Sequence, residues 1–272
     1  MTNSVKSAAR DAEDVTPLRW LARGGYVANG VVHLLVGVIA LVIAWRGRGE
    51  SDQAGALAAI AALPLGFVAL WLIAGLLAAL GVYHAIHGVA LRIANRRKRW
   101  GRRVAELGQA GVFLAMGGFA AYVALGARPD PDQSVQHASR VVLAIPGGWL
   151  LLGGVGLGIG IGGIAWIVMG IRRSYRKQID LPDGVAGHAI SALGVAGFIA
   201  KGAALVVVGA LILAAALQHD PELAGGLDDA IQSIRALPFG NVMVGIIGAG
   251  FLLFGIFCMF RARYARMQEC SG

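Results

Sequence analysis

Hydrophobic residues in this chain are gathered into six long runs separated by short polar segments. The runs cover about residues 24–45, 66–91, 107–126, 147–171, 190–217 and 240–260. Each run is long enough for an α-helix that crosses about 30 Å of hydrocarbon. None alternates apolar and polar residues as a barrel strand does. Because backbone groups in lipid must be satisfied internally, the pattern predicts an all-α, polytopic integral membrane protein with six transmembrane helices.

The six runs are three copies of one two-helix unit. Each copy has two glycines in its first run, a Pro-x-Gly sequence before its second run, and another glycine seventeen residues after the proline. The matching residues are Gly30, Gly37, Pro64, Gly66 and Gly81 in the first copy, Gly111, Gly118, Pro146, Gly148 and Gly163 in the second, and Gly202, Gly209, Pro238, Gly240 and Gly255 in the third. Because the matches keep a fixed order, they indicate triplication.

The direction of the repeats follows from their number of crossings. A unit that crosses the membrane twice returns the chain to its starting side, so all three copies point the same way. The sequence therefore predicts parallel repeats in a pseudo-threefold arrangement about an axis along the membrane normal. We divide the chain into a polar tail at 1–17, repeats at 18–103, 104–188 and 189–264, and a second tail at 265–272.

The loops inside the three repeats share a second pattern. Counted back from each proline, the eighth, fourth and first positions are apolar, and they are Ala56, Ile60 and Leu63, then Ala138, Val142 and Ile145, then Ala230, Ile234 and Leu237. These positions lie on one face of a helix. The spacing therefore predicts a short amphipathic helix at the membrane interface before each proline. A plain polar loop is the alternative.

Composition and charge place the chain in a membrane with a defined orientation. The chain is 57% hydrophobic and 14% charged, which excludes a disordered chain and an ordinary soluble enzyme. The tails and the loops between repeats hold eighteen of the 24 Lys and Arg residues, and the loops within repeats hold five. This excess predicts that both termini lie in the cytoplasm. A cleaved signal peptide at the first run is the alternative, but that run is too long for one and recurs twice.

A short sequence at the start of the first run carries a family resemblance. Residues Ala22–Gly30 read Ala-Arg-Gly-Gly-Tyr-Val-Ala-Asn-Gly, and the three Pro-x-Gly sequences follow. The chain resembles a bacterial membrane family, number twelve hundred and six among the domains of unknown function, in which a pair of transmembrane helices occurs three times. The resemblance covers about residues 18–264 and implies this topology in the bacterial inner (plasma) membrane, but no activity. The second copy departs most, with Glu106 at the place of Gly25.

Three polar side chains inside the predicted spans are the candidate functional residues. His33 and His84 fall at similar predicted depths in the inner leaflet, and Lys201 lies about one turn nearer to the cytoplasm. Because ionisable residues in a membrane are rare and often functional, the three form a candidate polar pathway. The histidines are alternatively ordinary hydrogen-bonding groups between helices, or ligands of haem or a metal. Lys201 alternatively extends to the inner surface.

Other motifs give no sign of catalysis. The residues Gly158–Gly163 match G-x-G-x-x-G, but they lie inside a hydrophobic run, so close helix packing explains them better than nucleotide binding. Cys258 and Cys270 have neither a metal-ligand spacing nor a predicted disulfide. No Ser-His-Asp context and no close pair of intramembrane carboxylates occurs in the sequence. We therefore predict no enzyme, no catalytic residue, no cofactor and no metal.

The charged loops have simple interpretations. A dense basic cluster after the second run sets the orientation and is a candidate contact for anionic lipid headgroups, and it contains Arg96, Arg97, Lys98 and Arg99. Nucleic acid is not a predicted partner, since no recognition module surrounds the cluster. The acidic pairs in the outer loops are interpreted as solvated charges, and they are Asp130 with Asp132 and Asp228 with Asp229.

Two classes of function follow from these patterns. The first is a non-enzymatic structural or accessory membrane protein, which suits closely packed spans with few charges. The alternative is a small-solute or ion transporter or channel with a path along the pseudo-threefold axis, lined by His33, His84 and Lys201. Haem binding by the histidines is a third and lesser hypothesis. The sequence indicates neither a substrate nor a protein partner.

Overall fold

The protein folds into nine α-helices within the residues that the structure describes. A computed structural model describes residues 16–46, 53–90, 96–127 and 130–265. The helices are α1 (Thr16–Arg46), α2 (Gln53–Ala61), α3 (Gly66–Ala90), α4 (Arg96–Ala124), α5 (Pro131–Leu143), α6 (Gly148–Ile171), α7 (Val185–Gln218), α8 (Leu227–Arg235) and α9 (Gly240–Tyr264). Cys270 and almost all of the predicted tails lie outside the described ranges.

The six long helices confirm the predicted number of spans. Helices α1, α3, α4, α6, α7 and α9 are long and apolar enough to cross a membrane. Several extend beyond their apolar runs at the end of the bundle that carries Arg102 and Arg261, which we call the basic end. There α4 already begins at Arg96, because Arg and Lys favour helix. We call the opposite end, with the three Pro-x-Gly sequences, the turn end.

Each repeat packs mainly against the next repeat. The second helix of one repeat lies along the first helix of the following one, in the pairs α3 with α4, α6 with α7, and α9 with α1. Within the first and third repeats α1 also packs on α3, and α7 on α9. In the described part of the second repeat, α4 and α6 share no comparable interface. These two helices are therefore the edges of the bundle. Only 28% of the residues in the apolar stretch of α4 and 17% of those in α6 are buried, whereas the share is 50% in α1 and in α9.

Glycines bring the backbones of neighbouring repeats into contact. A Cβ on Gly202 would lie 2.5 Å from the carbonyl oxygen of Gly163, and a Cβ on Gly30 would lie 2.9 Å from that of Gly255. These distances leave no room for a side chain, so only glycine allows this approach. Two more such contacts join Gly37 to Gly248 and Gly209 to Gly156. The predicted framework glycines of α1 therefore contact α9, and those of α7 contact α6.

The second repeat departs from the predicted framework by a rotation of α4. Gly111 and Gly118 face open space rather than α3. The contact is made one residue earlier, where a Cβ on Gly117 would lie 3.0 Å from the carbonyl oxygen of Ala74. One residue corresponds to about 100° around a helix, so a different face of α4 meets α3. This rotation also turns Glu106 into the interface.

The Pro-x-Gly sequences form the same turn in all three repeats. The middle residue has a left-handed backbone, with φ of 65° at Leu65, 75° at Gly147 and 62° at Phe239. Pro before a residue of positive φ is the arrangement of a type II turn. A Cβ on the glycine that follows would clash with a carbonyl oxygen of the preceding helix, as at Gly66 with Ile60. The proline, the left-handed residue and the glycine therefore act together to reverse the chain.

Short helices precede all three turns, which confirms helix rather than a polar loop. In the first and third repeats the residues eight and four places before the proline are buried, and they are Ala56, Ile60, Ala230 and Ile234. The residue directly before the proline is exposed in every repeat, as at Leu63 and Leu237. Ala138 of the second repeat is exposed as well. The predicted buried face is thus correct at the eighth and fourth positions in two repeats. It does not include the position directly before the proline, because the chain leaves the helix there.

We expect Gly202→Ala to lower the free energy of unfolding by about 1–3 kcal/mol, because α6 and α7 must separate to admit the methyl group. The measurement is thermal unfolding in nanodiscs. Gly158→Ala is the matched control, since a Cβ there would meet no other helix within 4 Å. Equal effects of the two substitutions would contradict backbone contact between α6 and α7 as a source of stability.

We expect Leu65→Gly to raise the free energy of unfolding by about 0.5 kcal/mol, because it relieves a left-handed backbone at a residue whose side chain is 80% exposed. The reverse change, Gly147→Leu, should lower it by about 1 kcal/mol at the equivalent turn. Both are measured by thermal unfolding under the same conditions. Shifts of the same sign would show that the backbone conformation of the middle residue does not decide the outcome.

Candidate functional site

Helix α1 carries three buried polar side chains on one face. Tyr26, Asn29 and His33 are spaced three and four residues apart, which places them in a line along the helix. Their exposed fractions are 4%, 3% and 2%. Partners from α3, α7 and α9 meet this face, so the line runs through the interior of the bundle. We call Tyr26, Asn29 and His33 the polar stripe.

His33 and Lys201 meet at the deep end of the polar stripe. His33 Nδ1 lies 2.8 Å from the carbonyl oxygen of Asn29, and a carbonyl only accepts, so Nδ1 is the donor. His33 Nε2 is then the acceptor for the Lys201 amine at 3.1 Å. That amine also lies 4.8 Å from the ring centre of Trp166 and 4.7 Å from that of Phe254. The half-buried Lys201 therefore directs its amine toward His33 and the two aromatic rings.

His84 belongs to a second group nearer to the basic end. Its Nδ1 lies 2.8 Å from Glu106 Oε2, and its Nε2 lies 3.2 Å from the hydroxyl of Tyr26. The other carboxylate oxygen of Glu106 lies 3.4 Å from Arg102 Nε and 3.9 Å from His87 Nε2. A carboxylate accepts, so Nδ1 donates to Glu106, and the Tyr26 hydroxyl donates to the free Nε2. The result is a chain of phenol, imidazole and carboxylate that joins α1, α3 and α4.

Aromatic rings enclose this chain. The ring of Phe113 stacks on that of His84 with centroids 5.5 Å apart, and Tyr83 meets the same imidazole edge-on at 5.9 Å. The Arg261 guanidinium lies 4.5 Å from the ring centre of Tyr26. Glu106 is 6% exposed in this setting. A buried charge with little access to water depends on its paired groups, so the loss of one partner would leave the other unsatisfied.

The predicted polar pathway is thus divided between two groups. His33 and Lys201 are in contact, whereas His84 lies nearer to the basic end and contacts Tyr26 at the other end of the polar stripe. Asn29 extends the stripe sideways, since its amide donates to Cys258 Sγ at 3.4 Å. The sequence did not single out Glu106 as a partner of His84. The available signal was an acidic residue at the edge of an apolar run, four residues after Arg102.

The half of the bundle toward the turn end has an apolar interior. Beyond His33 the same face of α1 carries Val36, Ala40 and Ile43, each at most 1% exposed. Side chains from α3, α4, α7 and α9 pack in the same cluster, and they include Leu70, Ile73, Ala120, Ala204, Val244 and Phe251. The polar stripe therefore ends at His33, and a continuous apolar core lies between it and the turn end.

The acidic residues at the turn end hold the loops together. Asp130 caps α5 by accepting from the backbone of Gln133 at 3.0 Å. Asp132 accepts from the backbone of Gly226 at 2.6 Å, which joins the second repeat to the third. Asp130 is exposed, as a solvated charge is, whereas Asp132 has a partner in the third repeat. Burial raises the pKa of Asp229 above its ordinary value, and the neighbouring Asp228 carboxylate raises it further.

Comparisons with known proteins agree with the triplication. The family described as Domain of Unknown Function (DUF1206) matches residues 24–90, 107–173 and 196–265. The chain is also similar to the Uncharacterized protein YxxB of Bacillus subtilis (strain 168), with 26% identity over 255 residues that make up 92% of each chain. No solved structure matches. The three matched segments confirm the resemblance and the repeat that the sequence indicated.

We expect Asp229→Asn to stabilise the fold at neutral pH, because the raised pKa of Asp229 means that folding disfavours its ionised form. The folded state holds the proton more tightly, so the wild type gains stability as the pH falls toward the ordinary Asp value of about 4. The advantage of the variant should therefore disappear in that range. Thermal unfolding as a function of pH measures this, with the exposed Asp183→Asn as control. A constant advantage at every pH would contradict the assignment to titration.

Proposed function

The chain belongs to the DUF1206 family, and from this premise we propose that it is a non-enzymatic accessory membrane protein, which acts by binding other membrane components. The observation that carries the proposal is the apolar core between His33 and the turn end. A path along the pseudo-threefold axis would have to cross this core, where Val36, Ala40 and Ile43 are almost completely buried. A fixed arrangement of helices suits a protein that presents surfaces rather than one that passes a solute.

The pairing of the buried polar groups supports the same proposal. Lys201 is engaged by His33 and by two aromatic rings, and Glu106 is engaged by His84 and Arg102. Groups that bind one another are not directed at a substrate. Backbone contacts at Gly163–Gly202 and the other glycine pairs also limit relative movement of the helices.

The surroundings of the protein are part of the proposal. Its topology suits the bacterial inner (plasma) membrane with both termini in the cytoplasm, because the described basic end holds most of the exposed cations. Exposed cations there include Arg172, Arg173, Arg176 and Lys177. We propose that they and the cluster at Arg96–Arg99 contact anionic lipid headgroups. Within that cluster, the side chains of Arg96, Arg97 and Lys98 lie outside what the structure describes.

A transporter is the second candidate, and the polar stripe is the observation that favours it. Tyr26, Asn29 and His33 form a line of buried polar groups from the basic end to the middle of the bundle. Lys201 stands at the end of that line. A transporter would have to open the apolar core beyond His33 in a second conformation, and Lys201 would then be the last group in contact with the solute.

Flux through proteoliposomes separates the two candidates. For an accessory protein, we expect proton flux, followed with an internal pH dye, and small-solute flux, followed by light scattering, to equal those of empty vesicles. A transporter gives flux that Lys201→Ala abolishes and that Lys177→Ala, at an exposed lysine, preserves. Flux that depends on Lys201 would overturn the accessory proposal.

A further inference from the structure

We propose that Tyr26, His84 and Glu106 form a proton-binding site that is reached from the basic end, and that proton uptake breaks the link between α1 and α3. The ligand is a proton taken from water. The site is distinct from the accessory role proposed above, and it would operate in a transporter as well.

Hydrogen-bond directions define the state without the added proton. His84 Nδ1 donates to Glu106 Oε2 at 2.8 Å, and Nε2 accepts from the Tyr26 hydroxyl at 3.2 Å. Both ring nitrogens of His84 make hydrogen bonds, and the neutral imidazole carries a single N–H, at Nδ1. The free electron pair of Nε2 is therefore the place at which the imidazole can take another proton.

The surrounding charges keep the Glu106 carboxylate ionised, so that it can pair with a protonated His84. Glu106 is held by the Nδ1 donor, by Arg102 at 3.4 Å and by His87 at 3.9 Å, and such contacts favour the ionised form. The groups that face the site come from four helices, and they are Tyr26 on α1, Tyr83, His84 and His87 on α3, Arg102, Glu106 and Phe113 on α4, and Arg261 on α9. An added proton makes an imidazolium beside the Glu106 carboxylate, with the Arg102 and Arg261 guanidinium groups as further positive charges around it.

Access to the site is from the basic end. The Arg102 side chain is 41% exposed and lies against Glu106 Oε1, whereas the Glu106 side chain is 7% exposed. The opposite side of the chain is closed by Phe113, which stacks on His84, and by the Tyr26 ring. Water therefore reaches the group from the basic end, past Arg102 and Glu106.

Proton uptake changes the contact with α1. When Nε2 carries a hydrogen, both ring nitrogens of His84 are donors, and the Tyr26 hydroxyl loses its acceptor. The Arg261 guanidinium also bonds to this hydroxyl and holds its oxygen in place, so the Tyr26 O–H and the new Nε2–H point at each other and the hydrogen bond is lost. Because this hydrogen bond is the direct polar link from Tyr26 to α3, its loss alters how α1 sits against α3 at the basic end.

Substitutions of Glu106 and of Tyr26 are expected to shift the proton affinity of His84 in opposite directions. Loss of the Glu106 charge removes the partner of the imidazolium, so Glu106→Gln should lower the proton affinity of His84 by about tenfold or more. Loss of the Tyr26 hydroxyl removes a bond that exists only when Nε2 is free, so Tyr26→Phe should raise that affinity. A residue that serves only for packing would not shift the affinity in opposite directions.

Nitrogen-15 NMR of histidine-labelled protein in nanodiscs, recorded as a function of pH, tests the proposal. We expect His84 to be protonated at Nδ1 at neutral pH and to gain a hydrogen at Nε2 on acidification. Its signals are assigned by their loss in His84→Gln. His188→Gln, at an exposed histidine bonded within its own helix, should leave the His84 step unchanged.

The NMR titration tests the proposal even if one of the variants fails to fold. Each variant is first checked for a monodisperse preparation, and Tyr26→Phe, which keeps the ring, tests the sign of the effect by itself. A His84 step that is absent, or that moves to lower pH in Tyr26→Phe, would overturn the proposal. These spectra do not depend on transport, so the result is separate from that of the flux experiment.

Discussion

The approach of helix backbones at the glycine contacts is the constraint on which the rest of the bundle depends. In lipid, apolar side chains gain little by leaving one hydrocarbon surface for another, so close packing has to hold the helices together. Gly163 with Gly202, and Gly30 with Gly255, permit that packing between consecutive repeats. Because the contact joins the second helix of one repeat to the first of the next, it fixes the order of helices around the bundle.

Equivalent positions along these interfaces carry different chemistry. At one level, Glu106 meets His84 between α4 and α3, and Tyr26 lies under the Arg261 guanidinium between α1 and α9. At the third interface the aromatic ring of Phe198 takes the corresponding place. The backbone repeats three times, whereas the side chains do not. Any specific activity therefore has to arise from the departures between copies rather than from the shared framework.

The sequence was sufficient for the spans and the triplication, since lipid imposes a hydrophobic length and the Pro-x-Gly turn needs its proline and glycine each time. It was not sufficient for the rotation of α4. Gly117 and Gly118 are adjacent and both lack a Cβ, so either could meet α3, and the packing of the whole helix decides. The partner of Glu106 depends on that rotation. The direction of Lys201 was open as well, because a flexible side chain takes its position from tertiary partners such as His33.

The missing interface in the second repeat leaves two helices at the edges of the bundle. In the described residues the helices follow one another as α4, α3, α1, α9, α7 and α6, with an end at α4 and another at α6. Each edge helix has one long helix as its main neighbour, so most of its apolar surface is left for lipid or for another membrane protein. A closed ring of the same three repeats would have covered both of these faces.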